Sequence, residues 1–204
     1  MGRPREHDEH TAAALIEAAE RIIEKDGIAA LSIRAVASEV GTTTRAVYSL
    51  FGSKEGMIGA LGVRAFDWLR EGLAALPATD DPQADIVAAG LMFRQFATEH
   101  PSLFAIGIQR MVPRVTRPQV FAAANLALDA LKAKIERLAE AELLGGRSVD
   151  YATCEFHALC EGLAAVELRG FVFVDDVEVV WREALTALVM GFEAPVDSEL
   201  ERAQ

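Results

Sequence analysis

Residues 32 to 56 read SIRAVASEVGTTTRAVYSLFGSKEG, a stretch so dense in helix start and stop signals that it admits only two short helices joined by a tight turn. Ser32 supplies a hydroxyl to cap the first helix, whose apolar face runs through Val36, Ala37 and Val40. Gly41 then permits a left-handed residue, where any Cβ would clash. Thr43 caps the second helix, on which Val47 and Phe51 face inward. The outward positions Thr44, Arg45, Tyr48 and Ser49 carry hydrogen-bonding groups of the kinds used on DNA. The pattern is a helix-turn-helix.

Upstream, Leu15, Ala19, Ile22 and Ile23 mark an amphipathic helix that Gly27 ends. Downstream, Ser53 caps a further long helix, with Glu55 favourable at its positive end. This order resembles the N-terminal part of the TetR family of bacterial transcriptional regulators. Thr11 to Gly27, Leu31 to Arg34, Val40 to Thr43, Val47-Tyr48, Phe51 and Ser53 to Glu55 carry the resemblance; Arg45 and Leu50 stand where the family commonly has Gly and His. It implies an all-α fold of about nine helices, a three-helix DNA-binding unit followed by a larger helical sensing and dimerisation domain.

Arg45 is the candidate for base readout, since a guanidinium can donate two hydrogen bonds to a guanine edge. Thr44 and Ser49 are candidates for bases or thymine methyls, and Thr42, Thr43, Tyr48 and Lys54 for phosphates that set register. Partial packing of the Tyr48 ring is compatible with that role. Arg34 resembles a common phosphate contact of the family. Arg3 and Arg5, in a polar arm spanning residues 1–10, are candidates for an adjacent minor groove. The run His7-Asp8-Glu9-His10 reads as solvated charge rather than a metal cluster, and no metal or cofactor is expected.

The formal net charge of −11 runs against a nucleic-acid partner. Even the first 57 residues hold seven Lys and Arg against nine Asp and Glu. Position outweighs the total: Arg3, Arg5, Arg34, Arg45 and Lys54 fall on the DNA side, and Glu17, Glu20 and Glu24 are expected on the solvated back of the first helix. Half the residues are apolar (51%), which a disordered chain would not show. Charges interrupt every apolar run before it reaches bilayer length, and the polar N-terminus is no secretory signal, so a cytoplasmic protein is expected. Cys154 and Cys160 lie about 9 Å apart along a helix, beyond disulfide reach, and read as two free thiols.

The remaining boundaries follow the same punctuation. The expected organisation is an arm (1–10), the DNA-binding domain (11–56), a sensing and dimerisation domain (57–194) and a loose tail (195–204). Met57 to Leu76 is a long helix, Asp81 with Pro82 opens another to His100, and Pro101 a short one reaching Met111. Thr116 caps a helix extending to Gly145-Gly146, Ser148 caps the next, and Asp175-Asp176 the last. Phe171 to Val174 is expected as an extended connector rather than a strand.

Met92, Phe93, Phe96, Phe104, Ile108, Met111 and Phe121 concentrate aromatic and sulfur groups suited to an apolar ligand cavity. Gln95, Gln109, Asn125, His157 and Glu161 are candidate polar anchors, although such residues are more often ordinary core or helix surface. Residues 156–163 resemble a C-terminal subtype of the family with Trp followed by His-Gly, Glu161 standing where that His would be. Ala158, Gly162, Ala165, Leu185, Leu188, Val189 and Phe192 are the expected dimer interface, by the resemblance and by small-residue helix packing. The whole reads as a homodimeric DNA-binding regulator, a repressor released from a near-palindromic operator by a small apolar effector. A protein-interaction module with a vestigial helix-turn-helix, or an activator, are the alternatives. No nucleophile elbow, phosphate loop or zinc motif supports an enzyme.

Overall fold

The computed structural model describes residues 3–109 and 113–195. Among these residues the secondary structure is entirely helical, with nine α-helices and two single turns of 3-10 helix, as expected. The helices are α1 (Arg3–Asp26), α2 (Ile33–Val40), α3 (Thr44–Phe51), α4 (Lys54–Ala75), α5 (Pro82–Glu99), α6 (Pro101–Gly107), α7 (Arg117–Glu140), α8 (Val149–Leu168) and α9 (Val177–Gly191). Two compact units divide the chain: residues 1–68 with 100–125, and residues 69–99 with 126–204.

In the first unit α1 packs on α2, α3 and α6. Its buried Leu15, Ala18, Ala19 and Ile23 recur every three or four residues and face Ile33, Val36 and Ala37 of α2 and Val47 of α3. Each such buried Leu, Ile or Val stabilises by about 1.5–3 kcal/mol, against about 1 kcal/mol for a cap. Packing therefore holds the helices together and the caps decide where they end.

Residues 3–10 do not form the expected arm: α1 starts at Arg3. Pro4 falls in the first turn, where its missing N–H has no helical partner to lose, and acidic Glu6, Asp8 and Glu9 favour a helix start. Glu20 and Glu24 also differ from the solvated back expected for them. Glu24 accepts hydrogen bonds from the backbone N–H groups of Ser102 and Leu103, both at 3.1 Å, and Ser102 Oγ donates to the Ile23 carbonyl at 3.0 Å. Since the His100 side chain at the start of α6 accepts no capping hydrogen bond, α1 supplies the cap. Glu20 lies 2.9 Å from His100 Nδ1 and 3.9 Å from Arg64.

The second unit is built on α5, α8 and α9, which contact one another. Ile86, Ala89, Phe93 and Phe96 of α5 meet Ala152, Phe156, Cys160 and Ala164 of α8 and Trp181, Leu185 and Val189 of α9 in its core. Glu167 joins the three helices: Arg94 donates to it three times at 2.9–3.1 Å and Trp181 Nε1 once at 2.7 Å. The Glu167 hydrogen bonds raise the Arg94 pKa. A second polar lock holds the α4–α5 loop, where buried Asp85 accepts from the Thr79 hydroxyl (2.7 Å), the Thr79 N–H (2.9 Å) and Arg137 of α7. Burial pushes the Asp85 pKa up, but the Thr79 and Arg137 hydrogen bonds outweigh it and leave it lowered.

Ser32, Thr43, Ser53, Asp81, Ser148 and Asp176 each accept a backbone N–H at a helix start, as the sequence implies. Thr116 does not cap: it is buried and donates to the Pro113 carbonyl at 2.9 Å. Nor does α7 reach the double glycine. It ends at Glu140, with Glu142 left-handed (φ 60°) and Leu143 N–H returning to Leu138 O at 2.8 Å, a Schellman closure built on a non-glycine residue. Residues 171–174 form no strand, and both cysteines are free, Cys154 exposed and Cys160 buried. The tail expected to be loose lies outside the described residues from 196 onward.

Candidate nucleic-acid interface

The helix-turn-helix is set by hydrogen bonds its own residues make. Ser32 Oγ accepts from Ala35 N–H at 3.1 Å, and Thr43 Oγ1 from Ala46 N–H at 3.2 Å. Gly41 sits between them at φ 71°, the left-handed region, and Thr42 N–H closes back on Ala37 O at 2.9 Å. Gly56 is equally constrained, because a Cβ there would lie 1.9 Å from the Phe51 carbonyl oxygen. The turn into α4 therefore tolerates no side chain at that position.

These constraints orient α3. Val47 is fully buried and Phe51 half-buried against the unit, whereas Thr44, Arg45, Tyr48 and Ser49 are exposed on the opposite side. Tyr48 exposes 54% of its surface, so its ring packs only in part. Thr43 is exposed; its oxygen accepts the capping bond, and a hydroxyl that accepts can still donate. Arg34 is exposed on α2, while Thr42 and Lys54 are half-buried.

The exposed face joins two guanidinium groups, three hydroxyls and a phenol, a set able to donate to phosphate oxygens and base acceptors together. Glu39 is the nearby acid on α2, and its charge is answered by Arg21 Nε at 3.3 Å. Glu55 is kept below the usual carboxylate range by its own backbone N–H, then by the Ser53 hydroxyl and neighbouring Lys54. It stays ionised beside the α4 N-terminus. The side chains of Arg3 and Arg5 lie outside the described residues.

The expected effector residues divide between the units. Phe104, Ile108, Phe121 and Asn125 belong to the first, Met92, Phe93, Phe96, His157 and Glu161 to the second, and Met111 lies outside the described residues. Phe93, Phe96, Phe104 and Ile108 are buried as core, whereas Phe121 and Asn125 are exposed. Met92, His157 and Glu161 are half-buried, and the His157 ring meets Phe93 edge-on at 6.2 Å. A cleft of about 320 Å³ in the second unit is lined instead by Leu91, Arg94, Gln95, Thr98, Glu99 and Glu178. Its lining is mainly polar, and of the expected anchors only Gln95 borders it. Among the described residues no group of His, Cys, Asp and Glu is placed to hold a metal, and no helix is long and apolar enough to cross a membrane.

The residues expected at a dimer interface also divide. Leu185, Val189 and Phe192 are core of the second unit, at 0–1% exposure, and Leu188 and Ala165 are half-buried; only Ala158 and Gly162 are exposed. The correction has a simple cause: the strongest apolar stripe of α9 is taken by its own unit. The large exposed apolar residues of α8 and α9 are instead Tyr151, Val166, Leu168, Val179 and Met190. A second, weaker helical period on each helix was the available signal for them.

Residues 15–61 match the family described as bacterial regulatory proteins of the tetR family, and residues 86–188 the tetracyclin repressor-like C-terminal domain. The chain is 26% identical over 183 residues to the uncharacterised HTH-type transcriptional regulator Rv0681 of Mycobacterium tuberculosis, covering 88% of this chain and 80% of that one. A solved protein of unknown function from Rhodococcus superposes with a TM-score of 0.79 at 23% identity, over 89% of this chain and 94% of that one. PfmR of Thermus thermophilus, a TetR family regulator, gives 0.64 at 19%, over 86% and 96%. With the helix-turn-helix geometry and both halves of the chain matched, this protein belongs to the TetR family of DNA-binding transcriptional regulators.

Proposed function

We propose that this regulator is a homodimeric repressor that a small apolar molecule releases from a near-palindromic operator. The observation that carries the DNA half is the outward face of α3: four hydrogen-bonding side chains exposed on a helix whose other side is buried and whose start is capped. In this reading Arg45 reads a base edge and Thr44 and Ser49 add contacts to bases. Arg34, Thr42, Thr43, Tyr48 and Lys54 hold phosphates, and the bounds 11–56 delimit the DNA-binding domain. Two copies would meet successive major grooves about 34–36 Å apart.

Dimerisation through α8 and α9 is supported by their exposed apolar residues. Effector sensing falls to the helical remainder, 57–194, where the His157 ring meets Phe93 and where no described cavity yet selects a ligand. Release by tenfold requires the effector to prefer the DNA-free state by about 1.4 kcal/mol.

Fluorescence anisotropy on DNA flanking the protein's own gene tests the reading. Arg45→Ala is expected to cost about 1–3 kcal/mol, roughly 5- to 150-fold, on the selected sequence and little on random DNA. The affinity should fall steeply with salt. Equal, weak binding to all sequences by both proteins would instead favour a protein-interaction module, and retained transcription-promoting binding an activator.

A further inference from the structure

Within its own chain, Gly162 has no structural reason to be glycine. It lies in the interior of α8, where glycine is among the least favourable residues, and its φ is not left-handed. A Cβ added there meets nothing within 4 Å beyond the helix's own backbone. The helical glycines Gly56, Gly59, Gly72, Gly90 and Gly107 differ: each would bring a Cβ within 3 Å of a neighbouring atom. Gly191 also has open space, but it is the last residue of its helix.

Gly162 is centred on the unpartnered face of α8. At 100° per residue Tyr151, Glu155, Ala158, Val166 and Arg169 share that face, all exposed, opposite the buried Thr153, Phe156, Cys160 and Ala164. Its middle is small and apolar and its two ends carry opposite charge. Glu155 has a long contact of 3.7 Å to Arg147, and Arg169 donates from Nε to the Ala165 carbonyl at 2.7 Å, which leaves the rest of its guanidinium outward.

We infer that α8 crosses α8 of a second copy of this chain antiparallel, with Gly162 at the two-fold axis. The inference rests on the homodimer reading and adds its register. Glu155 and Arg169 lie seven residues either side of Gly162, about 10 Å along the helix, so the axis sets each opposite the other in the second copy. Ala158 likewise faces Val166. Moving the axis to Ala158 would take Arg169 of the second copy away from Glu155 and leave neither charge opposite its complement. Beyond Arg169, Tyr151 reaches toward the α8–α9 connector of the second copy, where Phe171 and Phe173 are otherwise left 60% and 88% exposed.

Sedimentation equilibrium of the full chain tests the register with two sets of variants. Gly162→Ala removes the close approach while favouring the helix. At an axis it should raise the dimer dissociation constant at least tenfold. On a free face it would leave association unchanged and raise the melting temperature, which overturns the register. Glu155→Arg and Arg169→Glu should each weaken the dimer, and the double exchange should recover most of the loss, since this one pair forms twice across the axis. A wild-type dimer indifferent to all these changes overturns the Gly162 crossing but leaves dimerisation standing. A wild-type monomer at every concentration overturns both.

Discussion

The helix-turn-helix of the first unit and the α8–α9 pair of the second are both helices with one buried and one exposed side, yet they are specified differently. Around α2 and α3 every end is fixed by a residue at most five positions away: Ser32 on Ala35, Ala37 on Thr42, Thr43 on Ala46, Ser53 on Gly56. The second unit relies on long-range locks as well. Arg137 reaches Asp85, Arg94 reaches Glu167, and Arg147 donates to the Phe192 carbonyl at 2.8 Å. The exposed faces differ too, polar donors on α3 against small and apolar groups on α8. Local punctuation suffices to present a surface to DNA, whereas the second unit needs its tertiary contacts before it has a defined outer face.

Breaking a long-range lock should therefore cost more than breaking a local one. Asp85→Asn, which leaves Arg137 facing a neutral group, is expected to lower stability by about 3 kcal/mol at pH 7, the lower end for a buried pair because Arg137 is partly exposed. The Asp85 pKa is lowered in the fold, so this stability is present above the ordinary carboxylate pKa and is lost as pH falls through the lowered value. Urea unfolding of both proteins should diverge at pH 7 and converge in acid; equal curves at pH 7 would remove the lock from the comparison.

Gly41→Ala, forced to φ 71°, is expected to cost about 1–2 kcal/mol, read as a shift of the denaturant midpoint. Thr43→Ala should cost about 1 kcal/mol from the lost cap. It should also weaken DNA binding on every sequence alike, because a phosphate contact carries no base information. A Thr43→Ala effect exceeding that of Asp85→Asn would reverse the contrast between the two units.

Legibility followed the same division. The α2 and α3 boundaries, both caps and the left-handed Gly41 were readable because each signal lies within one helical turn of its effect. The caps at Ser53, Asp81, Ser148 and Asp176 were readable for that reason too. The end of α7 is not legible in the sequence, because Gly145-Gly146 is the stronger local stop while the closure uses Glu142. Glu24 looked like a solvated acid, since nothing near it in sequence announces that α6, 78 residues away, lacks its own cap. Phe96 and Phe104 have the composition of a ligand wall, and the fold buries both among core residues.

The sequence by itself determined the all-helical class, the helix-turn-helix and the outward hydrogen-bonding set on α3, because helix period and capping are properties of neighbouring residues. Only the tertiary structure decided which apolar stripe each helix buries within its own chain. It took Leu185, Val189 and Phe192 inward and left Tyr151, Gly162 and Val166 outside. Periodicity shows that a helix has an apolar face, but several faces compete for one core, and the largest, best-packed surfaces are taken first.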